Sequence, residues 1–448
     1  MGPEAVLRQP IRNCEVTSEE VVSEFIGRIQ EVNSYVYGLV DERFEIAVEE
    51  ARKVDRMIAS GEYDKTELED KFPLLGVPFT IKDSFCVSGL RHTAGSYYRK
   101  DIIAAQDAEV VKLLKSAGAI PIGVTNVPEL CMWWESHNTV YGRSRNPYDT
   151  RHITGGSSGG EAAVQGAAGS AFGIGSDIAG SIRVPSLFCG IFGHKPTSGI
   201  ISCWGQQPEV KGRLVELLTT GPMARHANDL RLIFDVLIGE SVHKMNKIPE
   251  KVQLRILFME DDGGSPLASP VDPEMKDVLR KAVQHLEQTY GVKAQKANFS
   301  KLYHSLEIWV QAVSGAGGVP FCEELSLQKG KINPFWELVK FCFRKSPHTL
   351  PAIMLGIIEK MAYIGNQLPR HKQLIEMGYS LAKEIQDVLK DDAFNVLGVP
   401  VTQVPLGLGS KGLPLGVQIV GGMHSDHITI SVAQELERAF GGWVQPSI

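Results

Sequence analysis

No two cysteines in this chain form a CxxC pair, and the seven present, at 14, 86, 131, 189, 203, 322 and 342, are scattered and odd in number. That pattern speaks against a disulfide framework or a cysteine-built zinc site. With apolar or small neighbours throughout, the thiols are expected to be reduced and mostly buried in an intracellular protein. Long apolar runs are missing as well. The longest, Leu350 to Ile358, falls far short of the roughly 20 residues that a membrane-spanning helix needs. The opening MGPEAVLRQPIRNCEVTSEE lacks the apolar centre of a signal peptide, and Val6 breaks the myristoylation pattern. Basic blocks are absent too. Lys and Arg total 46 against 52 Asp and Glu, a net charge of −6, so no nucleic-acid partner is expected. There is no internal repeat, no low-complexity tract and no GxxxxGK[ST] phosphate loop.

What remains is a chain of 448 residues, 43% apolar, which is enough for a large core. Thr17 and Glu20 form a capping box, and Val21, Val22, Phe25, Ile26, Ile29 and Val32 follow at helical spacing. A second helix is expected over Glu42 to Ala59. From Leu75 the pattern alternates: LLGVPFTIKD reads as a strand, DAEVVKLLKSAGA as a helix and AIPIGVTN as a strand. SGGEAAVQGAA then reads as a helix and SAFGIGSD as a strand. Short links between strands and helices predict an α/β core with a parallel or mixed sheet. RILFME (255–260) reads as a further strand, with a long helix after it. Residues 300–390 lose the alternation and become helical and aromatic-rich, with Trp309, Phe335, Trp336, Phe341 and Phe343. This stretch reads as an insertion packed on the core, or more sharply as a wall for a greasy acyl chain or a face that touches membrane. VPVTQVPLG, PLGVQIVGG and a helix over Asp426–Phe440 restore the α/β pattern. The whole is read as one domain: N-terminal helices (1–60), catalytic core (61–240), helical insertion (241–395) and return to the core (396–448).

Chemistry concentrates between Gly155 and Arg183, GGSSGGEAAVQGAAGSAFGIGSDIAGSIR. Ser157 and Ser181 are glycine-flanked, and Lys82 follows VPFTI, which would bury it. Acyl transfer by a serine needs a base and a donor-lined hollow for the oxyanion. Lys82 is the candidate base, provided burial lowers its pKa from about 10.4. The run Ile178-Ala179-Gly180-Ser181 is the candidate hollow. Taken singly, each piece has a plainer reading: Lys82 as a snorkelling surface lysine, Ser157 or Ser158 as an N-cap, Ser181 as a small turn residue. A Ser–His triad through His194 is also conceivable, but GHKPT reads more simply as a turn between core elements. GGSSGG as a nucleotide loop lacks the lysine that should follow it.

The string GGSSGGEAA…GSDIAGSIRVPSLFCGIFGHKPTSG, with TNVPELCMWWESHNTVYGRSRNPYD and GLPLGVQIVGG, resembles the amidase signature family over nearly the whole chain. The resemblance implies that family's fold, a mixed central sheet surrounded by helices, and hydrolysis of lipophilic amides such as fatty-acid primary amides or N-acylethanolamines. It implies no cofactor and no metal. By motif position Ser181 matches the nucleophile, Ser157 the bridging serine and Lys82 the base. Ile178, Ala179, Gly180 and Ser181 would supply the oxyanion amides, and Cys131 an acyl-site wall beside the nucleophile. Ser158, Asp177 and Arg183 would support, the last two by bracing the nucleophile turn. The chain departs from the family in three places: Ala179 stands where glycine is usual, the hydrophobic N-terminal anchor of close relatives is absent, and DDAF runs straight into NVLGVPVTQVPLG where relatives carry an intervening strand and loop. The missing segment between Phe394 and Asn395 opens the alternative of a catalytically impaired splice form or remnant that binds lipid or a partner. An amidotransferase-type amidase component that feeds ammonia to a partner is a further alternative, which the greasy insertion opposes. Homodimerisation, peripheral membrane contact and a cytoplasmic location are left open.

Overall fold

The computed structural model describes residues 10–239, 255–264, 269–314, 317–365, 369–389 and 398–448. The capping box forms: Glu20 N donates to Thr17 Oγ1 and Thr17 N to Glu20 Oε2. It starts helix α1 (Ser18–Val36), whose Val22, Ile26, Ile29 and Val32 are buried as the spacing predicts. After a short edge strand, β1 (Leu39–Glu42), helix α2 covers Phe44–Ser60. The alternating stretch folds into β2 (Pro78–Lys82), α3 (Glu109–Ser116), β3 (Ile120–Thr125), α4 (Gly159–Gly166) and β4 (Phe172–Asp177).

Three further elements follow the motif region: α5 (Arg183–Phe188), β5 (Phe192–Lys195) and β6 (Thr219–Ala224). With β7 (Val401–Leu408) and β8 (Pro414–Val420) they complete one eight-stranded sheet in the order β1-β3-β2-β4-β6-β5-β7-β8. β2 runs parallel to β3 and β4, and the other pairings are antiparallel, so the sheet is mixed. All five residues of β2 and all six of β4 are buried, as strands covered by helices on both faces must be. Phe79 stacks on Phe172 across the β2–β4 pair, with ring centroids 5.4 Å apart. Gly160 lets α4 press onto the turn after β3, since a Cβ there would stand 2.3 Å from Asn126 N.

Several expectations are corrected. His194 lies within β5 and is fully buried, not in a turn, because β5 pairs with the strand Val401–Leu408 and Thr402 and Asp426 receive its ring nitrogens. RILFME yields only the two-residue strand Leu257–Phe258, paired with Gln295–Lys296 apart from the main sheet. Only Cys189 and Cys322 are buried; Cys14 and Cys342 are exposed, the others are intermediate, and all seven are free thiols. The helical stretch divides its apolar residues between two faces, one toward the core and one toward solvent. The junction Phe394–Asn395 lies outside the described residues. Among the described residues no helix is long and apolar enough to cross a membrane.

Candidate active site

Strand order brings the motifs together. β2 and β4 are parallel neighbours, Ile81 opposite Ile174, so Lys82 at the end of one meets Ser176 at the end of the other. This is the carboxyl edge of the strands, where open α/β sheets place ligands. The loop opening α4 brings in Ser157, and the peptide joining Gly156 to Ser157 is cis. Lys82 is 1% exposed, with Nζ 2.7 Å from Ser157 Oγ and 3.0 Å from Ser176 Oγ. Burial lowers its pKa from the ordinary lysine value, partly opposed by Cys131 and Asp177. A neutral amine that donates to Ser176 has its lone pair left for Ser157.

Ser181 shares a cavity of about 410 Å³ with Lys82, Ser157 and Ser176. The hydrogen bond that would join the Ser157 and Ser181 hydroxyls is not among those the described residues make. Such catalytic contacts often tighten only with substrate bound. The backbone locks the two serine loops together, Ser158 N donating to Ser181 O at 3.1 Å. Ser158 occupies the N-cap position of α4, but its hydroxyl does not cap; it reaches Ser176 O at 3.4 Å.

Asp177 organises the nucleophile turn. Its carboxylate accepts Gly180 N at 2.7 Å, Ile182 N at 3.0 Å and a two-point grip from Arg183, Nε at 3.0 Å and Nη2 at 2.9 Å. Burial pushes this carboxyl up, but the Arg183 guanidinium, the Lys195 charge and the Ile182 amide overcome it and hold the group well below the usual carboxylate range. One expectation is thereby corrected: the Gly180 amide is already given to Asp177. Among the described residues the amides of Ile178, Ala179 and Ser181 make no hydrogen bond, so these three are left as the candidate donors of the hollow. Gly180 has φ +109, and a Cβ would meet Val184 Cγ2 at 2.9 Å, so the turn requires glycine.

Removing the cation shows what the brace contributes. Arg183→Met should destabilise the fold by about 3–5 kcal/mol at neutral pH, as expected when one member of a buried pair is lost. In the wild type Asp177 titrates below its unfolded value of about 3.9, so its contribution is present above that pH and lost only in stronger acid. Without Arg183 burial raises the carboxyl, the folded state then favours its protonated form, and the deficit shrinks as pH falls. Thermal midpoints of wild type and variant, measured between pH 8 and pH 4, should therefore converge toward pH 4; a constant gap rules out the charge brace.

Cys131 lies in the cavity lining, with φ +60 beside Leu130 at +52. Burial pushes its thiol up, against the nearby Lys82, so it remains a neutral wall. His194 is engaged elsewhere: Nδ1 lies 2.9 Å from Thr402 Oγ1 and Nε2 3.1 Å from Asp426 Oδ1, in the core. The rest of the cavity is mostly apolar, with Trp309, Val310, Phe321, Leu355 and Ile358 from the helical stretch, while Gln206, Gln207, Glu209, Glu324 and Glu359 also reach its lining. No group of three His, Cys, Asp or Glu side chains among the described residues is arranged to hold a metal.

Two residues escaped the sequence reading. Ser176 is the second partner of Lys82; a polar residue closing an apolar strand was its only signal, and its partner depended on strand order. Ser136 Oγ accepts Gly159 N at 3.0 Å and donates to Gly155 O at 3.1 Å, holding the serine loop from the TNVPELCMWWESHN stretch, whose resemblance gave this serine no role.

The chain is similar to several known proteins. The family model described as "Amidase" matches residues 20–393. Human "Fatty-acid amide hydrolase 2" is 43% identical over 478 aligned positions, covering 98% of this chain and 89% of that protein. "Fatty-acid amide hydrolase 2-A" of Danio rerio is 42% identical, with the same coverage. A glutamyl-tRNA(Gln) amidotransferase component of Cyanothece is 27% identical, covering 97% of each chain. Among solved structures, a "Fatty acid amide hydrolase" superposes with a TM-score of 0.73 at 19% identity, covering 99% of this chain and 87% of that one. A bacterial aryl acylamidase superposes at 0.75 and 20% identity, covering 97% and 96%. The human alignment is longer than the 448 residues of this chain, so at least 30 of its 478 positions have no counterpart here.

Proposed function

The chain belongs to the amidase signature family and is an amide hydrolase, and from that premise we propose that it cleaves lipophilic amides, fatty-acid primary amides and N-acylethanolamines, through Ser181, Ser157 and Lys82. The observation that carries this is the buried Lys82 amine, its pKa lowered by desolvation, 2.7 Å from Ser157 on the wall of a mostly apolar cavity that also holds Ser181. Neutral Lys82 takes the Ser157 proton as Ser157 takes that of Ser181. Ser181 Oγ bonds to the amide carbon, and the oxyanion faces the amides of Ile178, Ala179 and Ser181. The proton returns through Ser157 to the leaving nitrogen, the C–N bond breaks and the amine departs. Water then attacks the acyl ester by the same route, freeing the acid and Ser181.

Exposed apolar side chains on the helix Pro334–Cys342 and on the neighbouring wall helix support a peripheral membrane contact. Trp336 is 58% and Phe343 71% exposed, and Met354 and Met361 project outward from the helix whose Leu355 and Ile358 line the cavity. An apolar patch beside an apolar cavity fits a substrate taken up from a lipid surface. The reading of an impaired form rests on two observations: the family match stops at residue 393, beside the Phe394–Asn395 junction, and at least 30 positions of the human alignment have no counterpart here.

Hydrolysis of a series of primary amides decides both points. Burying each added methylene is worth about 0.8 kcal/mol, so kcat/KM should climb roughly three- to fourfold per carbon from butyramide until the cavity is filled, with oleamide far above butyramide. A flat or falling series removes the lipid-amide assignment. Absence of turnover on every amide establishes the impaired form.

A further inference from the structure

Glu129 is buried, lies outside the proton relay and immediately precedes Leu130 and Cys131, the two left-handed residues of the cavity wall. Its carboxylate reaches across 220 residues of sequence. Oε1 accepts from His348 Nδ1 at 2.7 Å, and Oε2 from Thr349 N at 2.8 Å and Thr349 Oγ1 at 3.0 Å. Thr349 directly precedes the helix Leu350–Gly365, and its Oγ1 accepts Ala352 N at 3.3 Å. That helix supplies Leu355, Ile358 and Glu359 to the cavity. Glu359 in turn accepts the amides of Phe321 and Cys322, which pins the adjoining wall to the same helix. Leu130, Leu325 and Ala352 pack together beneath the clasp.

We infer that Glu129 is a positioning residue for chain-length selection: it clasps the start of this wall helix to the loop beside the nucleophile, and so sets the width of the apolar cleft between them. The inference rests on the lipid-amide reading above. A loose clasp lets the helix drift from Leu130 and Cys131, which costs the methylenes that span the cleft and spares the carbonyl held at Ser181. Thr139 Oγ1 still donates to Pro347 O at 2.7 Å, so the helix start keeps a second tether when Glu129 is replaced.

The two replacements should differ in degree. Glu129→Ala removes all three acceptor contacts. Glu129→Gln keeps an oxygen for Thr349 and turns its NH2 toward His348, whose Nε2 has no partner among the described residues, so the ring can change tautomer and accept. Measured on oleamide and butyramide, Glu129→Ala should lower the oleamide-to-butyramide ratio of kcat/KM at least tenfold, chiefly through the KM of oleamide. Glu129→Gln should lower it no more than about threefold. A ratio that survives in folded Glu129→Ala, or a parallel fall in kcat for both substrates, overturns the clasp. Should that variant fail to fold, Thr349→Val carries the test, with an expected loss of selectivity of at least threefold; an unchanged ratio overturns the inference. A wild type without chain-length preference fails the lipid-amide reading itself, whereas a wild-type preference retained by the variants fails only the clasp.

Discussion

Ser181→Ala should lower amide turnover on the order of 10⁴-fold or more, the scale on which loss of a serine nucleophile acts when the rest of the relay can no longer be used. The same variant should lose all labelling by a fluorophosphonate, which the wild type should take up once per chain, as read by intact mass. The large effect follows from the surroundings, which offer no substitute. Ser157 is buried at 1% exposure and stands against Lys82, so it accepts a proton more readily than it reaches a carbonyl carbon. Ser158 has its hydroxyl on Ser176 O. Cys131 faces the cavity, but burial holds its thiol protonated, and a thiol without thiolate character is a poor nucleophile. His194, the histidine of the alternative triad, has both ring nitrogens engaged in the core by Thr402 and Asp426. Labelling that persists in Ser181→Ala transfers the nucleophile to another hydroxyl, and Ser157 is then the first to replace.

Local pattern carried the reading furthest where one element decides the outcome. The capping box at Thr17 and Glu20, the apolar stripe of α1 and the final helix Asp426–Phe440 all lie where periodicity puts them. β2 and β4 were legible as short apolar runs. β5 and β6 were not: GHK reads as polar, and TTGPMA contains a proline and a glycine, yet tertiary pairing draws both into the sheet between β4 and β7. His194 shows the reason. Its polar ring is acceptable in a buried strand only because Thr402 and Asp426, more than 200 positions away, receive it.

The candidate site divides along the same line. Residue types at the three proposed catalytic positions and the Asp177–Arg183 brace could be read from one contiguous motif and one lysine. Ser176 could not, since its contact with Lys82 exists only after β2 and β4 are laid side by side. Neither could the Gly180 amide be assigned, because a free amide and one committed to Asp177 look alike in sequence. The aromatic stretch 300–390 left three readings open, and its residues do not act as one unit: Trp309 and Leu355 line the cavity, Ala352 packs with Leu130, and Trp336 and Phe343 are exposed.

Lys82→Met should lower kcat/KM at pH 7 by about 10²- to 10⁴-fold, the usual worth of a positioned general base. Its pH dependence is more diagnostic than its size. Burial depresses the amine below the ordinary lysine value, so the wild-type rate should rise with pH through that depressed pKa and then level off as the neutral form fills. The variant has no amine to saturate. Its residual rate depends on hydroxide and should climb about tenfold per pH unit, so the two curves approach one another in alkali. Stability supplies an independent check on the same group. Between its folded and unfolded pKa the unfolded chain binds a proton at Lys82 that the folded chain does not, so wild-type stability increases with pH until the unfolded value of about 10.4 is reached. Lys82→Met lacks that slope, and the difference in thermal midpoint should shift in favour of the wild type from pH 7 to about pH 10. Parallel rate profiles together with a constant difference in midpoint would mean that the amine stays charged in the folded chain, and a charged amine cannot draw the proton from Ser157.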